Sequence, residues 1–129
     1  MRMTAQNGPT AAKAPLVTVV IPAYNHAGYV AQAVRSVLAQ DYTNIELIVI
    51  NDGSTDDTEA VLAGLGGGFR WNTQANSGQS RTLTRGWSEA RGEILGYLSA
   101  DDILEPSAVR LSVAALMASP DLVATYPDF

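Results

Sequence analysis

The stretch from Ile45 to Ser54 reads IELIVINDGS, and it changes character halfway. Ile45 to Ile50 is apolar and β-branched, with no alternation of polar and apolar residues. That pattern predicts a strand buried on both faces, as in a parallel sheet. Asn51-Asp52-Gly53-Ser54 is turn chemistry, since Asn, Asp and Ser bond their own backbone and Gly turns without steric cost. A polar turn at the end of a doubly buried strand is where an open parallel sheet carries its ligands.

Working outward, the same unit recurs. Val17 to Ile21 (VTVVI) is a second apolar run, with Pro22 marking its end. Tyr29 to Ala39 places Val30, Val34, Val37 and Leu38 at helical spacing. Beyond Ser54, Asp56, Asp57 and Glu59 open a helix that carries Val61, Leu62 and Leu65. Gly66-Gly67-Gly68 ends it, and Phe69 to Asn72 is a weaker strand. Ser80 to Ala90 is a third helix, Ile94 to Leu98 a fourth strand, and Pro106 precedes a helix with Val109, Val113 and Leu116 on one face. Leu122 to Tyr126 is a further strand. Alternating strands and helices with right-handed crossovers give an α/β fold. It is a doubly wound, mostly parallel sheet with helices on both faces, in the expected strand order 3-2-1-4.

Composition bounds the function. The 129 residues are 47% hydrophobic and 16% charged, which excludes a disordered chain and predicts one domain. Residues 1–14 are polar and Ala/Pro-punctuated and read as a disordered tail before a domain at 15–129. Cysteine is absent, which removes disulfides, thiolate metal sites and thiol nucleophiles. Thirteen acidic residues against eight basic ones give a net charge of −5, so nucleic acid and anionic membranes are not expected partners. No apolar run reaches the roughly 20 residues of a membrane span, and the first residues lack the apolar middle of a signal peptide. A cytoplasmic location, or the cytoplasmic face of a membrane, follows as an expectation.

Three polar clusters follow strands: Pro22 to His26, Asn51 to Ser54, and Asp101-Asp102. Adjacent carboxylates repel unless something compensates them. Mg²⁺ or Mn²⁺ would do so, with a diphosphate completing the shell; an Asx turn capping the next helix is the plain alternative. Asp52 suits a base edge or a ribose hydroxyl, or is only a turn former. Tyr24 suits stacking on a base or ordinary packing. Asp56 and Asp57 read as helix caps. Arg81 and Arg85 read as a solvated helix face or a phosphate contact, and Trp71 and Trp87 as packing. His26, the only histidine, has no metal-ligating neighbours in sequence. PAYNHAG follows the first strand where a dinucleotide fold has G-x-G-x-x-G, and no G-x-x-x-x-G-K is present.

Four stretches in order, VTVVIPAYNHAGYVAQAVRSVLAQ, IELIVINDGSTDDT, QANSGQSRTLTRGWSEARGE and ILGYLSADDILEP, resemble the family-2 glycosyltransferases of the GT-A fold. The resemblance runs from Val17 to Phe129. It implies that Pro22, Ala23 and Tyr24 wall the base, that Asp52 contacts it, commonly uracil, and that Gly78, Gln79 and Ser80 belong to a loop flanking the nucleotide. It also implies that Asp102 binds the metal, Mn²⁺ or Mg²⁺, and that Asp101 contacts the nucleotide or its sugar. Ser99 stands where many members carry a further Asp, and Leu83-Thr84 where many carry Arg-Asn. The family places its catalytic base in a later segment, and this sequence stops at YPDF before it. Asp128 is not that base.

The expected protein is therefore the donor-binding portion of an inverting glycosyltransferase using a UDP-sugar and a saccharide, lipid or protein acceptor, in cell-wall or polysaccharide synthesis. A catalytically incomplete fragment or a non-catalytic nucleotide-sugar-binding module shares the same motifs. A phospho-accepting receiver domain fits poorly: its acids would follow other strands, and the only lysine, Lys13, lies in the tail.

Overall fold

The computed structural model describes residues 2–5 and 14–119. Its elements are β1 (Arg2–Ala5), β2 (Val17–Ala23), α1 (Val30–Leu38), β3 (Ile45–Asp52), α2 (Thr58–Ala63), β4 (Arg70–Gln74), α3 (Gln79–Ser88), β5 (Ile94–Tyr97) and α4 (Ala108–Ala118). One five-stranded sheet runs β1-β5-β2-β3-β4. β5, β2, β3 and β4 are parallel to one another, and β1 lies antiparallel on β5. Counted without β1, the parallel strands lie in the order fourth, first, second, third.

For residues 2–5, β1 replaces the expected disordered tail with a strand. Arg2 to Ala5 pair with Tyr97 to Ile94, and Met3 is fully buried. Four residues of mixed polarity carry no strand signal of their own. The open edge of β5 supplies the missing hydrogen bonds, and Met3 joins the main core. The predicted strand Leu122 to Tyr126 lies outside the described residues.

Alternation along β2 and β3 splits the core in two. Val17, Val19, Ile21, Leu47 and Val49 face α1, α2 and α4. Val20, Ile48 and Ile50 face α3, under Leu83 and Trp87. α1 lies down through Val30, Ala33, Val34 and Val37, which recur every three or four residues. α3 approaches β2 closely because Gly86 has no side chain there: a Cβ would stand 2.5 Å from a Val20 methyl.

Pro22 does not stop its strand, as the sequence suggested. β2 pairs with β3 as far as Ala23, whereas its ladder with β5 ends at Val20. Val20 accepts a last bond from Leu98 N–H at 3.0 Å on the β5 side. Two residues on, Pro22 directs its missing N–H to that same side, where no partner strand remains. The two strands part at this point, and the carboxyl edge opens.

Candidate functional site

Because β5, β2 and β3 are neighbours, the three predicted polar clusters leave one edge of the sheet. Pro22, Ala23, Tyr24 and Asp52 line one small open cleft of about 80 Å³, together with His26 and Gln79. Tyr24 is 45% exposed, so packing does not account for its ring. Two larger depressions contain none of the predicted site residues. One of about 430 Å³ lies beside β4 near Glu89, and one of about 260 Å³ lies beside Tyr42 and Gly68.

Asp52 is 4% exposed and heavily bonded. Its Oδ1 accepts from Ser77 N–H at 2.7 Å and Gln74 Nε2 at 2.9 Å. Oδ2 accepts from Gly78 N–H at 3.0 Å and, weakly, from Asn76 Nδ2 at 3.4 Å. One carboxylate at the end of β3 thus holds the whole turn from β4 into α3. The turn also needs Gly53 and Gly78, with φ of +70° and +90°, a region that glycine enters without strain. A Cβ on Gly53 would meet Asn76 N at 2.6 Å. Gly78 is the N-cap of α3. Gln79 reaches the cleft, whereas Ser80 is exposed on the next position and does not line it.

The opposite wall is tied down by the turn after β3. Asn25, with φ of +54°, accepts at Oδ1 from Thr55 N–H at 2.8 Å. His26 N–H donates to Thr58 Oγ1 at 3.1 Å, and Ala27 N–H to Asp56 Oδ2 at 3.1 Å. Asp56 Oδ1 accepts from the Thr58 hydroxyl and its backbone N–H. The Thr58 hydroxyl is the main cause holding Asp56 below the ordinary carboxylate pKa, against a smaller opposing effect of burial. The capping expectation is corrected for Asp57, the N-cap of α2, which makes no side-chain cap bond. Asp56 takes the first amide of α2, as a cap would, and is also a clasp between two loops. His26 accepts from Tyr24 N–H at Nδ1, 3.3 Å away, which fixes the chain beside the ring.

Asp101 and Asp102 sit at the end of β5, past the cleft. The plain reading, a cap for the next helix, is corrected: the N-cap of α4 is Ser107. Asp102 N–H closes a turn on Ser99 O at 3.0 Å. Among the described residues neither carboxylate has a hydrogen-bond or ion-pair partner, and no group of three or more His, Asp or Glu could hold a metal ion.

Arg85 departs from the solvated-face expectation. It is half-buried, and its Nη1 donates to Gln74 Oε1 at 3.0 Å. Arg81 stays exposed. Trp87 packs as expected, edge-on to Tyr97 at 6.2 Å with Nε1 on Gly96 O. Sequence reasoning passed over Gln74; its signal is only a polar residue closing a strand.

The chain is a doubly wound α/β domain with a cleft at the carboxyl edge of its parallel sheet, the place where such sheets carry ligands. The sequence pattern of glycosyl transferase family 2 matches residues 18–127, and the chain belongs to that family. It is 39% identical over 102 residues to an uncharacterized glycosyltransferase of Rickettsia typhi, covering 79% of this chain and 32% of that protein. To the hyaluronan synthase of Pasteurella multocida it is 37% identical over 117 residues, covering 88% of this chain and 12% of the synthase. The chain thus spans about a third or less of these relatives. Its fold matches the mannosyltransferase PcManGT of Pyrobaculum calidifontis in complex with GDP-Man and Mn²⁺, at TM-score 0.73 and 24% identity over 88% of this chain and 34% of that one. It matches S. aureus TarS 1-349 in complex with UDP at TM-score 0.68 and 24% identity, over 78% and 31% of the two chains. Among the described residues, no helix is long and apolar enough to cross a membrane.

Proposed function

We propose that this chain is the donor-binding domain of an inverting glycosyltransferase that takes a UDP-sugar and passes the sugar to an acceptor hydroxyl. One observation carries the reading. Pro22, Ala23, Tyr24 and Asp52 meet in a single cleft at the edge from which Asp101 and Asp102 also emerge. Tyr24 offers a flat face for the base. Of the Asp52 oxygens, Oδ2 has one good bond and one long one, so it is the oxygen that accepts a base N–H. Gly78 and Ser80 bring the start of α3 alongside, where backbone amides favour phosphate oxygens. Asp101 takes the ribose or sugar side.

The donor set fits a divalent cation. Two adjacent carboxylates without partners among the described residues match the preference of Mg²⁺ or Mn²⁺ for one or two carboxylates plus substrate phosphates. Asp102 would hold the cation, which would supply Lewis-acid stabilisation of the departing diphosphate. The acceptor oxygen bonds to the anomeric carbon as the bond to the diphosphate breaks. The hydroxyl proton passes to a carboxylate base, which is assigned to none of the described residues. A role in surface polysaccharide synthesis and a cytoplasmic site of action accord with this chemistry.

Thermal unfolding with UDP, with and without Mn²⁺, tests the reading. Ligand at a hundredfold over Kd stabilises by about 2.7 kcal/mol, roughly 10 °C for a domain of this size. The expected shift needs Mn²⁺ and vanishes in Asp102→Asn. A shift indifferent to both sinks the assignment.

A further inference from the structure

Behind the cleft, Asp52 belongs to a chain of hydrogen bonds whose direction is fixed at every member. Arg85 has only donors, so the Gln74 amide must turn Oε1 toward it, at 3.0 Å. That turns Nε2 toward Asp52 Oδ1 and Thr82 Oγ1, both at 2.9 Å. Thr82 is fully buried and spends its own proton on Gly78 O at 2.7 Å. With Arg85 removed, Gln74 Oε1 loses its donor and the amide is held at Nε2 alone, so its hold on Asp52 loosens. Both Nε2 protons are committed, and Oδ1 of Asp52 already holds two donors. Oδ2, with one good donor and one long one, is the less committed oxygen and the one left to a ligand.

We propose that Gln74 and Arg85 are positioning residues that fix the Asp52 carboxylate with Oδ2 toward the cleft, and that they thereby set the preference for a base presenting an N–H. Neither residue lines the cleft. Arg85 works from α3, through an amide on β4, on an acid at the end of β3. Uracil carries an N–H at ring position 3; cytosine carries a lone pair there, which a fixed carboxylate oxygen repels. The ratio of UDP to CDP affinity therefore reports the orientation of Asp52. The inference rests on the reading that Asp52 faces the base.

Calorimetric titration of the protein with UDP and with CDP in Mn²⁺ tests it, alongside melting temperatures. The unaltered protein is expected to prefer UDP by about tenfold or more, the size of one charge-assisted hydrogen bond. Gln74→Met should bring the ratio to within about threefold, Arg85→Met should lower it part of the way, and Arg85→Lys, also donor-only, should keep most of it. A merely structural role would weaken both ligands together or lower the melting temperature while the ratio stands, and that result overturns the inference. Asp52→Asn separates the two levels. If it abolishes the ratio while Gln74→Met and Arg85→Met leave it intact, only the positioning role fails. If it leaves the ratio unchanged, or the unaltered protein does not bind UDP, the base-contact reading fails and this one with it.

Discussion

Two acidic positions at the same sheet edge are built in opposite ways. Asp52 is 4% exposed and receives four donors from its own chain, two of them backbone amides. Asp101 is exposed and Asp102 half-buried, and neither carboxylate has a partner among the described residues. A buried carboxylate must be satisfied internally, because an unpaired charge in low dielectric costs several kcal/mol. Two neighbouring carboxylates in water tolerate their repulsion at small cost and keep their lone pairs for something else. The first arrangement shapes a wall. The second leaves its oxygens free for the proposed cation.

Asp52→Ala should break the wall with the largest effect. It leaves the Ser77 and Gly78 amides without their acceptor and removes an anchor of the turn into α3. A loss of about 2 to 3 kcal/mol is expected from urea unfolding. The contrast fails if Asp52→Ala costs no more than Asp101→Ala.

Asp101→Asn and Asp102→Asn sharpen the other side. Without divalent cation each should stay within about 0.5 kcal/mol of the parent, or gain slightly as repulsion falls. A loss beyond about 1 kcal/mol would reveal a structural partner and remove the reason to expect a cation there.

The smallest effect concerns the clasp opposite Asp52. The Thr58 hydroxyl bond holds Asp56 below its ordinary pKa. Its stabilising contribution is therefore complete above the unfolded-state value, about 4, and fades as pH falls through the lower folded-state value. The urea midpoint should decline below pH about 4 more steeply in the parent than in Asp56→Asn. Parallel curves would show that the clasp carries no net ionic preference.

Most of the architecture was legible because its signals are local. Val17 to Ile21 and Ile45 to Ile50 are apolar on both faces, and Val30, Val34 and Val37 mark a helix by period alone. The cleft residues Pro22, Tyr24 and Asp52 were legible from their place after strands. Three features were not. β1 exists because β5 offers an edge, a property of the sheet and not of Arg2 to Ala5. Pro22 continues its strand because β5 has already left that side. Arg85 looks like any surface arginine on a helix, and only the approach of α3 to β4 turns it onto Gln74.

The sequence by itself determined the alternation of strands and helices, the family, and which acids stand at the ends of strands. These depend on period, turn chemistry and motif order, which are read residue by residue. Tertiary structure decided what each acid does. Whether a carboxylate is spent on its own chain or kept free depends on which donors come within 3 Å, and those donors arrive from other elements. Asp52 is bound by residues at least 22 positions away, while the Asp101 and Asp102 carboxylates meet none among the described residues. That difference in surroundings separates the wall of the cleft from the pair of acids proposed to hold a cation.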